Sequence, residues 1–399
     1  MKITDLKCAI IASSPVLRIT TDEGITGWSQ IEAPKPYVQP QVLSLKDWIV
    51  GQDPRDVERV MRRIRVRGGF KPFGSAVSAI EHALWDIAGK AAGVPVYRLL
   101  GGKVRDQVRT YRTLYQQELN VGHTPEDYAK WAEYAKSLSE GYRMFKLPTS
   151  FHSSMVRDFP NFFYGDVQTD APFPYPHKGV LTEDGMKHLV DCVTAAKDTL
   201  GTSYGLAVDA GPGYMPLDAL KFARAVEHLN LLWVEDTITG DYSPYVNHDV
   251  YRDVTHATTT PIHCGEQIYL RQNYKHLIES HAVNVIGPDP CDVGGLAEIK
   301  WVAEHADLHG IAIAPHGTAN GILGLAALIQ VCATLPDNLI AFEYPARFEP
   351  FWYDITEGFD GVPVKDGMID VPDRPGLGVE LIAKEAKKYL SEGDADFFD

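Results

Sequence analysis

From Val108 onward, short β-branched apolar runs alternate with stretches whose apolar residues recur every three to four positions, among them PEDYAKWAEYAKSLSE, MKHLVDCVTAAKDTL, PLDALKFARAVEHL and LAEIKWVAEHADLHG. The short runs have the length and composition of strands, and the longer period marks helices. Strict alternation of the two predicts a parallel sheet with helices as crossovers. Counting from RTYRT and YRMFK gives eight candidate strands, which fits a closed (β/α) barrel better than an open sheet.

Before residue 107 the rhythm differs. KCAII, VLRIT and ITGWSQI read as strands of a small antiparallel sheet, the last two joined by a turn at Asp22-Glu23-Gly24. Residues 42–66 and 75–100 carry helical periodicity; in SAVSAIEHALWDIAGKAAG, Ser75 or Ser78 is the expected N-cap and Gly93 the expected end. The turn-rich tail, ITEGFDGVPVKDGMIDVPDRPGLGVEL, is expected to return to this first unit. The predicted fold class is α/β, with an α+β domain over residues 1–107, a TIM-like (β/α) barrel over 108–350 and a returning C-terminal segment over 351–399. Between Lys146 and Leu181 the aromatic and proline-rich insertion at 149–180 has no period, and we expect a lid or a subunit contact of a homo-oligomer.

Six apolar runs of the second half end in a residue able to bind a metal or move a proton: SYGLAV at Asp209, LLWV at Glu235, PIHCG at Glu266, NVIGP at Asp289, IAIAP at His316 and IAF at Glu343. Burying such groups costs free energy that packing alone does not require. Parallel strands closing into a barrel bring their carboxyl ends to one face, so the six converge. Any one carboxylate at a strand end is as well explained by capping the next helix. Three in succession, Asp209, Glu235 and Glu266, one βα unit apart, point instead to a hard-oxygen site for Mg²⁺. Cys264 would point the same way as Glu266 and is read as packing. A lone histidine is usually a core residue, but His316 ends the strand after the one that ends in Asp289, and the pair makes a general base. Glu343 is placed to bond a substrate carboxylate oxygen if protonated, or a hydroxyl if not.

The net charge of −15 argues against nucleic acid and against a polybasic membrane patch. The five cysteines are widely spaced without CxxC pairs, which suits a reducing compartment, and no run has the length of a signal or membrane-spanning segment. The expected location is the cytoplasm.

The stretch SAIEHALWDIAGKAAGVPVYRLLGGKVRDQV, followed by VDAG, WVED, CGE, GPDPCDVGG and APHGT, resembles the enolase superfamily, in its mandelate racemase-like subgroup, over nearly the whole chain. The resemblance implies an α+β capping domain over a modified (β/α) barrel, Mg²⁺ on Asp209, Glu235 and Glu266, and proton abstraction next to a carboxylate, with Asp289 and His316 as the family's dyad and Glu343 as its last-strand glutamate. Many members carry KxK on the second barrel strand, where the second lysine is an opposing base. Here Lys146-Leu147-Pro148 stands there, and proline accepts no proton. That departure disfavours a two-base racemase. The KLP stretch and DRPGLGVEL are similar to L-rhamnonate dehydratases, although Gln267 stands where those enzymes commonly have histidine.

The implied reaction is dehydration of a small acid sugar to a 2-keto-3-deoxy acid, with Lys146 near the charge that develops. Lys35, Tyr37, Arg65 and Arg67, in EAPKPYVQP and RVRGGFKPF, are the candidate substrate contacts. A racemase or cycloisomerase would need a second proton donor, for which Tyr115, His152 and His177 are candidates. A non-catalytic acid-binding protein is the third reading.

Overall fold

The protein was analysed as a computed structural model. It describes residues 1–67, 74–165, 180–238, 246–317, 321–345 and 349–399, without the side chains of residues 66 and 67.

Strands β1 (Ile3–Ile11), β2 (Ser14–Thr21) and β3 (Thr26–Gln30) form an antiparallel sheet in chain order. Helices α1 (Val57–Arg67) and α2 (Ser75–Ala92) follow. Their core, including Leu6, Leu17, Ile19, Val60, Ile64, Ile80 and Leu84, is distinct from that of the barrel. Each such fully buried aliphatic side chain stabilises by about 1.5–3 kcal/mol before entropy is counted. Gly93 ends α2 in the left-handed region, at φ 68°, as its lack of a Cβ allows. The N-terminus differs from expectation. Gly74 is the cap, because the Ser75 hydroxyl is drawn away to the Asp292 carboxylate and Ser78 Oγ donates back to the Gly74 carbonyl.

Eight parallel strands then alternate with helices: β4 (Gln107–Thr113), α3 (Pro125–Ser137), β5 (Met144–Pro148), α4 (Glu183–Leu200), β6 (Gly205–Asp209), α5 (Pro216–Ala225), β7 (Val234–Glu235), α6 (His248–Thr255), β8 (Ile262–Cys264), α7 (Arg271–Glu279), β9 (Val285–Ile286), α8 (Leu296–Leu308), β10 (Ala312–Ile313), α9 (Ile322–Cys332) and β11 (Phe342–Tyr344). The sheet runs from β10 stepwise back to β4 and on to β11. The Ile340 N–H donates to Ile313 O at 2.9 Å and the Glu343 N–H to Pro315 O at 2.9 Å, joining the two ends. This is a TIM-like α/β barrel with a capping unit. Its interior holds Tyr111, Ala207, Trp233, Val285, Ala314 and Ala341, a packed floor rather than a pore.

The tail divides. Met368–Asp370 pairs antiparallel with β4, whereas the last residues reach the first sheet: Trp28 Nε1 donates to Glu380 Oε2 at 2.9 Å, and Arg18 to Phe397 O at 2.7 Å. Glu81 of α2 binds the barrel from the other side. Its carboxylate accepts from the Leu296 and Ala297 N–H groups at the start of α8, at 2.8 and 3.0 Å, satisfying donors that a helix leaves open at its N-terminus. Gly295 permits this, since a Cβ there would lie 2.3 Å from the Glu81 carboxyl carbon. Among the described residues no helix is long and apolar enough to cross a membrane.

Candidate active site

Strand register assembles the site. Pro148, Asp209 and Glu235 are successive partners across β5, β6 and β7, and Ile286 pairs with Ile313 on β9 and β10. Continuing that last register three residues past each strand places Asp289 opposite His316. Glu266 follows β8 after the single residue Gly265, and Glu343 lies within β11. All six predicted strand-end residues are buried.

Lys146 sits at the centre of one half. Its Nζ lies 2.7 Å from Glu235 Oε1, 3.2 Å from Glu343 Oε1 and 3.4 Å from Asp209 Oδ2. Burial disfavours its charge, but Glu235 and Glu343 hold the ammonium well above the usual lysine range. Trp233 Nε1 donates to the other oxygen of Glu235 at 2.7 Å. Burial nevertheless raises the Glu235 carboxyl to about 8, with Lys146 opposing and Asp209 and Glu266 reinforcing the shift.

Asp209 behaves oppositely. Burial works against its charge, yet His152 Nδ1 at 2.7 Å and Lys146 hold its carboxyl below the usual range. The Gly211 N–H adds a bond at 3.1 Å. His152 reaches Asp209 from the loop after β5, and its ring occupies space that a side chain at 211 would need: a Cβ on Gly211 would lie 2.8 Å from His152 Cδ2.

In the other half, His316 Nδ1 lies 2.6 Å from Asp289 Oδ2, and Nε2 lies 3.3 Å from Glu266 Oε2 and 3.5 Å from Glu343 Oε2. Burial disfavours the imidazolium, but Glu266, Glu343 and Asp289 together hold it well above the usual histidine range. The Cys291 N–H donates to the second Asp289 oxygen at 2.6 Å. Thr113 Oγ1 and the Gly317 N–H fix the Glu343 carboxylate.

The buried carboxylates here outnumber the buried cations. Oxygens of Glu235, Asp236 and Glu266 lie within 4.8 Å of one another, with Asp209 beside Glu235 in register. This hard-oxygen set with excess negative charge fits a divalent ion such as Mg²⁺.

The candidate substrate contacts separate. Lys35 is tied to Glu32 Oε2 at 2.5 Å and to Asp292 Oδ2 at 2.9 Å. Arg65 pairs with Glu298 at 3.2 Å and Glu58 at 3.3 Å. Tyr37 is 55% exposed. The Arg67 side chain, His177 and residues 166–179 of the insertion lie outside the described residues. Sequence reasoning missed Glu32, whose carboxylate lies within 4.8 Å of ligand atoms of Asp289 and His316, and Asp236. The signal for Glu32 was available: it follows β3 as the other acids follow barrel strands. Asp236 adjoins Glu235 in WVED and takes a left-handed φ of 52°.

Strand-end carboxylates facing a histidine–aspartate pair across a capped barrel define a class of protein as well as a site. Residues 7–101 match the mandelate racemase / muconate lactonizing enzyme N-terminal domain, and residues 130–386 the enolase C-terminal domain-like family. The chain belongs to the mandelate racemase-like group of the enolase superfamily. It is 30% identical to a D-xylonate dehydratase of Haloferax volcanii, over 99% of this chain and 90% of that protein. It is 26% identical to a D-galactarolactone cycloisomerase of Agrobacterium fabrum, over 92% of this chain and 88% of that protein. A crystal structure of a mandelate racemase/muconate lactonizing enzyme-like protein from Rubrobacter xylanophilus superposes with a TM-score of 0.83 at 30% identity, covering 98% of each chain.

Proposed function

We propose that the protein is a Mg²⁺-dependent acid-sugar dehydratase, a hydro-lyase that converts an aldonate to its 2-keto-3-deoxy acid. The observation that carries this reading is the buried Asp289–His316 pair on one side of the mouth, combined with Pro148 at the position where an opposing lysine base would stand. Asp209, Glu235 and Glu266 would hold the metal, which would supply positive charge to the substrate carboxylate. Residues 1–107 with the last part of the tail form the cap, and 108–350 the catalytic barrel, to whose first strand Met368–Asp370 adds.

Asp289 fixes the imidazole by its bond to Nδ1, leaving Nε2 as the atom that takes the C2 proton. Lys146, held among Asp209, Glu235 and Glu343, would add positive charge on the metal side of the site, where negative charge grows. The C3 hydroxyl leaves with a proton returned from His316, so one water is lost and the base is regenerated. The enol that remains becomes the keto acid on protonation at C3.

His152 favours one second reading. An imidazole beside Asp209, on the β5 side, is placed to serve a cycloisomerase as the other proton-transferring group. Incubation with a panel of five- and six-carbon aldonates and sugar-acid lactones distinguishes the two. The dehydratase reading expects a 2-keto acid product, unreacted substrate of unchanged C2 configuration, and only a modest loss in Pro148→Ala. Ring opening without loss of water, or C2 epimer formed as fast as product, would overturn it.

A further inference from the structure

Lys35 and Glu32 stand at the junction between the first sheet and the barrel, with Glu32 beside the Asp289–His316 pair. We propose that they are positioning residues for the general base, held by the capping unit and acting through the loop that carries Asp289. The proposal rests on the reading of His316 as the base.

The connection is continuous. Glu32 follows β3, and its carboxylate lies within 4.8 Å of ligand atoms of both Asp289 and His316. Lys35 Nζ bridges Glu32 Oε2, at 2.5 Å, and Asp292 Oδ2, at 2.9 Å. The other Asp292 oxygen accepts from Ser75 Oγ of α2, so the capping unit holds this side chain from two elements. Asp292 in turn belongs to the tight turn that orients Asp289: the Asp292 and Val293 N–H groups donate to Asp289 O at 3.1 and 2.9 Å, and the Cys291 N–H donates to Asp289 Oδ1. Cys291 Sγ also lies 3.6 Å from the Gln30 carbonyl at the end of β3.

Three buried carboxylates, Glu32, Asp289 and Asp292, therefore share one partly buried ammonium and one imidazole. Removing the ammonium takes away the cation between the like charges of Glu32 and Asp292, which destabilises the junction and loosens the hold of the capping unit on the Asp289 turn. A displacement of about 1 Å in a reacting group costs about a hundredfold in rate. Both Lys35 and Glu32 are already engaged by protein, which argues against Lys35 as a substrate contact.

Three variants test this, Lys35→Met, Lys35→Arg and Glu32→Gln, with kcat, KM and the isotope effect from C2-deuterated substrate as readouts. For Lys35→Met the expected result is a fall in kcat of about ten- to a hundredfold, KM changed by less than about threefold, and a larger isotope effect because proton abstraction becomes limiting. Lys35→Arg should recover a substantial part of the loss, and Glu32→Gln, which leaves Lys35 paired with Asp292, should lower kcat less than Lys35→Met. A raised KM with unchanged kcat would overturn the proposal in favour of substrate contact. Equal kcat in all variants would overturn it outright.

Hydrogen exchange at the Cys291, Asp292 and Val293 amides separates this inference from the functional reading, since it requires no turnover. Faster exchange in Lys35→Met is expected whether or not an acid sugar proves to be the substrate. If the unmodified protein dehydrates no aldonate, the functional reading fails by itself. Unchanged exchange in Lys35→Met would overturn the positioning role in either case.

Discussion

His316 Nδ1 and Asp289 Oδ2 stand 2.6 Å apart, although 27 residues separate them in the chain. The same offset relates Ile313 to Ile286 across β10 and β9, so the contact is the parallel register carried past the strand ends. Asp289 takes one imidazole nitrogen and turns the other toward Glu266 and Glu343. The imidazole is thereby oriented by the strand register together with the Asp289–Val293 turn, whose N–H groups bond back to Asp289.

His316→Asn should leave a folded protein that still binds Mg²⁺ but has lost about 10²–10⁴-fold in turnover, the usual contribution of a positioned base. Thermal unfolding and metal titration serve as controls, and product formation is the readout. Turnover within a few-fold of the unmodified protein would place the base elsewhere.

Glu235→Gln removes an anionic oxygen between Lys146 and Trp233. Mg²⁺ should bind at least about tenfold more weakly, since divalent affinity follows the charge of the ligand set. Calorimetric titration of the metal into the apoprotein measures this independently of activity. Unchanged affinity would remove Glu235 from the ligand set.

His82 gives the protein a pH dependence at its cap. The side chain is fully buried on α2, and burial pushes its imidazole down to about 4, only partly offset by the Pro290 carbonyl. In the unfolded chain it titrates near about 6.5. Above that pH neither state binds the proton; between about 6.5 and 4 the unfolded state takes it up and the folded state does not, so stability falls as acid is added. By pH 4 this amounts to about 3 kcal/mol. Urea unfolding at pH 7 and 4.5 should show a smaller acid loss in His82→Met than in the unmodified protein. Equal losses would assign the effect to other groups.

Gly295→Ala should destabilise by about 1–3 kcal/mol, the usual range for overpacking. The new methyl would meet the Glu81 carboxyl group, and φ at this residue is 119°, a region L-residues rarely adopt. The same substitution at Gly101, also at positive φ but with nothing within 4 Å, provides the comparison without the clash. A denaturation midpoint shifted no further by Gly295→Ala than by Gly101→Ala would discount the contact with Glu81.

The barrel was legible because six of its eight strands announce themselves twice, by an apolar run and by the acid or imidazole that follows it. Asp209, Glu235, Glu266, Asp289, His316 and Glu343 all follow that rule, and all six lie buried at the strand ends. What escaped depends on partners remote in sequence. Ser75 reads locally as a cap, but Asp292, 217 residues away, takes its hydroxyl. Lys35 reads as an exposed cation near a substrate loop until Asp292, 257 residues on, is placed beside it. Periodicity carries no information about such pairs. A hydroxyl or an ammonium has the same local signature whether it meets solvent, substrate or another part of the chain.

His152 and Gly211 divide a single volume between two chain positions. Any side chain larger than hydrogen at 211 would push against the imidazole and, through it, against the carboxylate of Asp209. Shortening residue 152 would relieve only part of the crowding, since a Cβ at 211 would also lie 3.0 Å from the His152 backbone nitrogen and from Phe151 Cβ, at a φ of 65°. Position 211 is thus closed to any side chain by the backbone that carries His152, so the loop after β5 and the loop after β6 can approach this closely only through a residue without a Cβ.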